Sequence, residues 1–188
     1  MGSAAVKLAT LIIDTQVDFF LHDRLTRRRA SLAKSINELV AASRASGTPG
    51  IWVKQEFAPD LSDATLEARR KGIRIVIAGT PGAAMLPELD VRPADTVIVK
   101  KRYSAFFGTN LDGTLARLMP EALVIAGINT HACVRATVID AYQRDFDLIL
   151  ARDCIDSHDE QHHDVSWRYM DGKLGRGMSN AEIRSLMS

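Results

Sequence analysis

A cysteine, an aspartate and a lysine each stand where an apolar run ends, and together they suit acyl transfer. The run Leu123 to Ala126 continues through Gly127-Ile128-Asn129-Thr130-His131-Ala132 to Cys133, at what reads as a helix start. A thiol in the first turn of a helix feels unpaired amides and the positive end of the helix dipole, both of which favour thiolate. The same amides can face an oxyanion. Taken alone, such a cysteine reads as a small buried apolar residue. Asp14, after the run Leu8 to Ile13, and Lys100, after Thr96 to Val99, change that reading by supplying a proton acceptor and a fixed cation.

These ends can meet only if the runs are parallel strands, because ligands of open parallel sheets sit outside the strands' carboxyl ends. Leu8 to Ile13 is almost wholly apolar, as in a strand buried on both faces. Further strand-like runs are Ile51 to Val53, Thr96 to Val99, Leu123 to Ala126 and Leu148 to Leu150. Between them Leu32, Ile36, Leu39, Val40 and Ser43 recur at helical spacing, with Gly47 as a stop, and Val134, Val138, Ala141 and Tyr142 form a second stripe. Ser179-Asn180-Ala181-Glu182 is a capping box for a last helix. Strands alternating with amphipathic helices predict an α/β fold with a parallel sheet covered on both sides. Gln55 to Leu89, broken by Pro59, Gly72, Pro81, Gly82 and Pro87, reads as a long active-site loop holding one short strand or turn, at Ile73 to Ala78.

The chain has 188 residues, which predicts one domain over residues 1–188. Its formal charge is +1, so no clustered basic excess points to nucleic acid or a membrane surface. With 46% apolar and 25% charged residues it can build a sizeable core. No apolar run is long enough to span a membrane. The start, Met1 to Lys7, lacks the order of a secretory signal, so a cytoplasmic address is expected. Cys133 and Cys154 are then read as free thiols.

Three blocks resemble the isochorismatase-like cysteine hydrolases: Leu11-Ile12-Ile13-Asp14-Thr15-Gln16-Val17-Asp18-Phe19, Lys100 to Leu111, and Gly127-Ile128-Asn129-Thr130-His131-Ala132-Cys133-Val134. Gly79-Thr80-Pro81-Gly82 and the helix after Cys133 extend the likeness over nearly the whole chain. The resemblance implies a three-layer α-β-α sandwich, Rossmann-like, with a mostly parallel sheet of about six strands. It implies Asp14 as base, Cys133 as nucleophile and Lys100 as cation, because the family pattern Lys-x-Arg-Tyr-Ser-Ala-Phe fits only when counted from Lys100. It also implies a cis peptide between Ile128 and Asn129, and an oxyanion hole made by the Asn129 and Cys133 amides. Relatives are often dimers or tetramers, so a homo-oligomer is expected.

Within that family, branches that cleave a vinyl ether usually lack the cysteine, so Cys133 favours hydrolysis of a carbon–nitrogen bond in a small amide, ureide or carbamoyl compound. An isochorismatase-type vinyl-ether hydrolase and a non-catalytic binding relative are the alternatives. Nicotinamidase-type branches add an Asp-x-His metal site, and no histidine lies between Trp52 and Lys71, so no metal and no cofactor are expected. Phe19, Tyr103, Phe106 and Phe107 are candidates for an apolar substrate wall, with Gln16, Asn110 and Thr130 as polar contacts; core packing is the competing reading for each aromatic. Arg102 and Arg135 are read as solvated or structurally paired. His158 and His162, four apart, look metal-like but read as a solvated helix face. A protease-like pairing of Cys133 with His131 or His163 lacks an orienting third group. Arg27-Arg28-Arg29 and Arg69-Arg70-Lys71 read as surface, Cys154 as a structural thiol and Asp18 as a turn cap.

Overall fold

The run Leu8–Ile13 is buried along its whole length because its alternate residues serve two separate cores. Leu8 and Ile12 face one side; Ala9, Leu11 and Ile13 face the other. The computed structural model describes residues 6–187; the residues before these, on which the reading of the start as no leader rests, lie outside the described residues. Six strands, β1 (Leu8–Ile13), β2 (Gly50–Gln55), β3 (Thr96–Lys100), β4 (Ala122–Gly127), β5 (Asp147–Ile155) and β6 (Arg176–Met178), form one sheet in the order β3-β2-β1-β4-β5-β6. Every pairing is parallel.

The helices complete the sandwich. On one face α1 (Asp23–Ala45) and α6 (Asn180–Leu186) bury Leu25, Leu32, Ile36, Leu39 and Ile183 against Ile12, Trp52 and Val124. On the other, α3 (Leu111–Leu118), α4 (Arg135–Tyr142) and α5 (Glu160–Met170) bury Leu111, Leu115, Val138 and Met170 against Leu11, Val53 and Ile125. A fully buried Leu or Ile contributes about 2 kcal/mol, so two such cores can offset the several kcal/mol that a buried ion pair costs. Ser179 caps α6 in the expected box with Glu182.

The segment after β2 is more structured than a loop holding one short strand or turn. It contains a six-residue helix, α2 (Leu66–Lys71), capped by Thr65 and ended by Gly72 at φ 63°. The apolar run Ile73 to Ala78 joins no sheet; it makes a single bridge, Phe57 with Ile77. Val76 and Ile77 instead pack with Phe57, Leu61, Ala64, Ala68 and Ala83 in a small core of their own. The segment is a folded wall beside the carboxyl ends of β1 and β2.

Strand order reverses direction between β1 and β4, which leaves a crevice beyond their carboxyl ends. Gly127, the last residue of β4, has φ 116°, and a Cβ there would lie 2.1 Å from Ile13 O. Only glycine allows this approach. It brings the chain after β4 against the end of β1, where Ile128 N donates to Ile13 O at 2.9 Å.

Candidate active site

Asp14 follows directly on β1 with φ 54°, in the left-handed region that aspartate enters more readily than most residues, and its amide donates to Val53 O at 2.8 Å. Lys100 ends β3 and is fully buried, a rare state for lysine unless it is paired. Its Nζ lies 2.7 Å from Asp14 Oδ2 and 3.4 Å from Cys133 Sγ, and donates to Arg102 O at 3.0 Å. Cys133 lies in a wide helical turn, Thr130–Val134, closed by Val134 N donating to Asn129 O at 3.2 Å, which runs straight into α4. The Ile128–Asn129 peptide just before that turn is cis.

Three ends of three strands therefore meet at one ammonium. Burial pushes the Asp14 carboxyl up, against the pull of Lys100. Burial also pushes the Cys133 thiol up, reinforced by the Asp14 charge and opposed by Lys100. Burial alone would pull Lys100 down, but Asp14 and then Cys133 outweigh it and leave the ammonium above its ordinary range. The balanced resting state is a lysinium, a carboxylate and a protonated thiol. The helix start taken alone favours thiolate; desolvation reverses that preference. Neither Asp14 oxygen meets a donor in good hydrogen-bond geometry, although the ammonium is 2.7 Å away, so the carboxylate keeps the capacity to take a proton.

Cys133 forms part of the floor of a cavity of about 320 Å³. Phe19, Phe57, Ile73, Ile75 and Tyr103 supply its apolar wall, and His22, Asn129, His131 and His158 a polar one. Asp14 and Lys100 lie behind the sulfur, outside the cavity lining. Among the described residues, no group of three His, Cys, Asp or Glu side chains could hold a metal ion.

Of the proposed substrate contacts, Phe19 and Tyr103 line this cavity. Gln16 is fully buried and ties β1 to its neighbours, donating to Gln55 O and Ala83 O, both at 2.8 Å. Phe106 belongs to the core under Arg144, and Phe107 is 65% exposed beside a separate groove with Leu66 and Ser104. Asn110 precedes α3, and Thr130 is buried with its hydroxyl 2.7 Å from His163 Nδ1. Asp18 accepts Val76 N at 2.6 Å and also borders the cavity.

His158 is not on the face of a helix: it precedes α5 and is half-buried against the cavity. The sequence names His158 but suggests a solvated helix face for it, and gives no signal for His22 or Phe57, because only the folded chain brings these positions together. Nor does the sequence signal Asp156, which pairs with Arg24 and with Arg28 at 2.8 Å and whose carbonyl accepts Thr130 N at 3.0 Å. This ties the nucleophile turn to α1.

A six-stranded parallel sheet with helices on both faces, and loaded strand ends at its switch point, defines an isochorismatase-like α/β fold. The family model for the isochorismatase domain matches residues 8–182, and the chain belongs to that family. It is 36% identical over 145 residues to a protein of Arabidopsis thaliana named a probable inactive nicotinamidase, covering 73% of this chain and 74% of that one. It is 34% identical over 133 residues to the ureidoacrylate amidohydrolase of Methylorubrum extorquens, covering 62% of this chain and 54% of the enzyme. The chain thus matches about half the length of that enzyme. Among solved structures, an isochorismatase family protein from Desulfovibrio vulgaris superposes with a TM-score of 0.86 at 27% identity, covering 97% of this chain and 98% of that chain.

Proposed function

We propose that this chain is a metal-independent cysteine hydrolase that cleaves a carbon–nitrogen bond in a small amide, ureide or carbamoyl compound, working as one domain. The observation that carries this reading is the convergence of Asp14 and Cys133 on the Lys100 ammonium, at 2.7 and 3.4 Å. Asp14 takes the thiol proton while the Lys100 ammonium, beside both groups, offsets the negative charge as it moves from carboxylate to thiolate. The Cys133 sulfur adds to the substrate carbonyl, and the Asn129 and Cys133 amides bind the oxyanion. Asp14 returns the proton to the departing amine or ammonia, leaving an acyl group on the sulfur. Water, deprotonated by the same carboxylate, then releases the acid and restores the thiol.

The relatives support the reaction class, since the Methylorubrum extorquens relative is named an amidohydrolase. Phe19 and Tyr103 are the substrate contacts that the cavity supports best. Assembly into a dimer or tetramer belongs to the same reading, supported by the exposed Leu66, Tyr103 and Phe107 side chains. The test is turnover of a panel of small amides by the wild type and by Cys133→Ala and Asp14→Asn. Loss in both folded variants is expected. Retained turnover in Cys133→Ala points to vinyl-ether chemistry instead. The plant relative named inactive favours the second reading, a binding protein, which no turnover by the wild type would support.

A further inference from the structure

All five histidines of the chain gather beside the cavity. The His158 ring centroid lies 5.1 Å from that of His22 and 5.0 Å from that of His131, which is 5.5 Å from His162. His22, His131 and His158 line the wall that Cys133 shares. The orientation of one ring is decided by its neighbours. The His158 backbone N–H donates to Asn129 Oδ1 at 3.0 Å, so that atom is an acceptor, and the His158 Nδ1 lying 3.1 Å from it must carry a hydrogen. In the neutral ring the lone pair then belongs to Nε2, which has no hydrogen-bond partner among the described residues.

We propose that His158 is a specificity-determining residue whose neutral Nε2 accepts an N–H of an uncharged ureide or carbamoyl substrate, so that the site disfavours substrates with a carboxylate at that wall. Among the described residues, no arginine or lysine lines the cavity. Its acidic members are Asp18 and Glu67, the latter paired with Lys71 at 2.7 Å. Lys100 lies behind the sulfur and is held by Asp14. A carboxylate would therefore meet acceptors and negative charge, whereas an N–H donor meets an acceptor already fixed in direction.

The groups around His158 keep it in the accepting form. Burial lowers its proton affinity first, then the His22 charge; His162 acts the same way and Asp159 opposes them. His131 is lowered likewise, chiefly by burial and then by His158. The nearby Arg24 is paired with Asp156 and bonded to Ser157 O. The ring is thus neutral at pH 7.5, and its acceptor is lost as pH falls through a proton affinity below the ordinary 6.5.

This assignment deepens the hydrolase reading, but the binding it describes does not use the Cys133 sulfur. It is tested with Cys133→Ala protein by calorimetric binding of biuret, acetylurea and N-carbamoylglycine at pH 7.5 and 5.0, with and without His158→Gln or His158→Phe. The expected result is that the two uncharged ureides bind more weakly at pH 5.0 than at pH 7.5. Adding His158→Gln should flatten that dependence, because its carbonyl accepts at either pH. Adding His158→Phe should weaken binding at both. Tighter binding of N-carbamoylglycine than of the two uncharged ureides at pH 7.5, a pH dependence unchanged by His158→Gln, or no binding of either uncharged ureide would overturn the proposal. Failure of the hydrolase reading is a separate result: no turnover by the wild type with these binding differences intact.

Discussion

The Lys100 ammonium and the Asp14 carboxylate lie 2.7 Å apart with both side chains at most 1% exposed, at the ends of strands that are not neighbours in the sheet. Neither charge is tolerable there without the other. Their pairing leaves the site neutral overall only while Cys133 stays protonated, so removal of the thiol proton must be answered by uptake at Asp14.

Asp14→Asn and Cys133→Ala should each lower kcat on a responsive amide by about 10⁴-fold. Both should keep a cooperative thermal transition, Asp14→Asn at a lower midpoint because Lys100 loses its carboxylate and keeps only Cys133 as a counter-charge. Their combination should be little worse than either alone, because the two groups act in one proton transfer. Steady-state kinetics beside a melting curve checks this.

Lys100→Met should destabilise the fold by about 3–5 kcal/mol at pH 8, read by urea unfolding, because Asp14 is left charged and unpaired. The sign with pH follows from the direction of its shift. Burial already holds the Asp14 carboxyl above its ordinary range, and loss of Lys100 raises it further. A raised carboxyl favours the folded state when protonated, so the deficit should shrink as pH falls towards 5. Adding Asp14→Asn should recover most of the loss at pH 8.

Alkylation of Cys133 by iodoacetamide should be slow at pH 7, since burial and the Asp14 charge hold the thiol up. In Asp14→Asn the like charge is gone and Lys100 remains. The thiol should then react faster at neutral pH although turnover has been lost. Cys154 is fully buried with its thiol pushed up to about 12, so mass mapping should find label on Cys133 alone.

Asp156→Asn should cost about 2–4 kcal/mol, because its carboxylate pairs with Arg24 and Arg28 of α1; the backbone carbonyl that accepts the Thr130 amide is kept, so turnover should change little. Burial opposes ionisation of Asp156, but Arg24 and Arg28 outweigh it and hold its carboxyl below the ordinary 3.8. A depressed carboxyl contributes stability that is present above its unfolded value and is lost as pH falls through the folded one. Wild type should therefore lose its advantage over Asp156→Asn below about pH 4, as urea midpoints at several pH values will show.

The frame of the fold was legible because β1 and β4 are apolar on both faces, and only a doubly covered parallel sheet accommodates such runs. β6 was not legible: Arg176-Gly177-Met178 is too short and too polar to carry a period, and its pairing with β5 is a tertiary effect. α2 was hidden by the prolines and glycines around it, since its six residues form less than two turns. Asp14 and Lys100 stood out because each directly follows an apolar run, and Cys133 because it stands at the helix start beyond a third. Gln16 and Phe106 had the right types for a substrate wall but are used inside the fold, by strand carbonyls and by the core, and composition alone does not separate those uses. His22 carries no local pattern, and the spacing of His158 to His162 suggests a helix face that His158 does not occupy, so only the folding of α1 against the end of β5 brings the two to one wall.

Covalent catalysis requires a bond between the substrate acyl group and one sulfur, that of Cys133. Wild-type protein mixed with pooled small amides, acid-quenched within the first turnovers and weighed intact, should show an added acyl mass that peptide mapping assigns to Cys133 and that Cys133→Ala lacks. Hydrolysis of any of those amides at an undiminished rate by Cys133→Ala would contradict it.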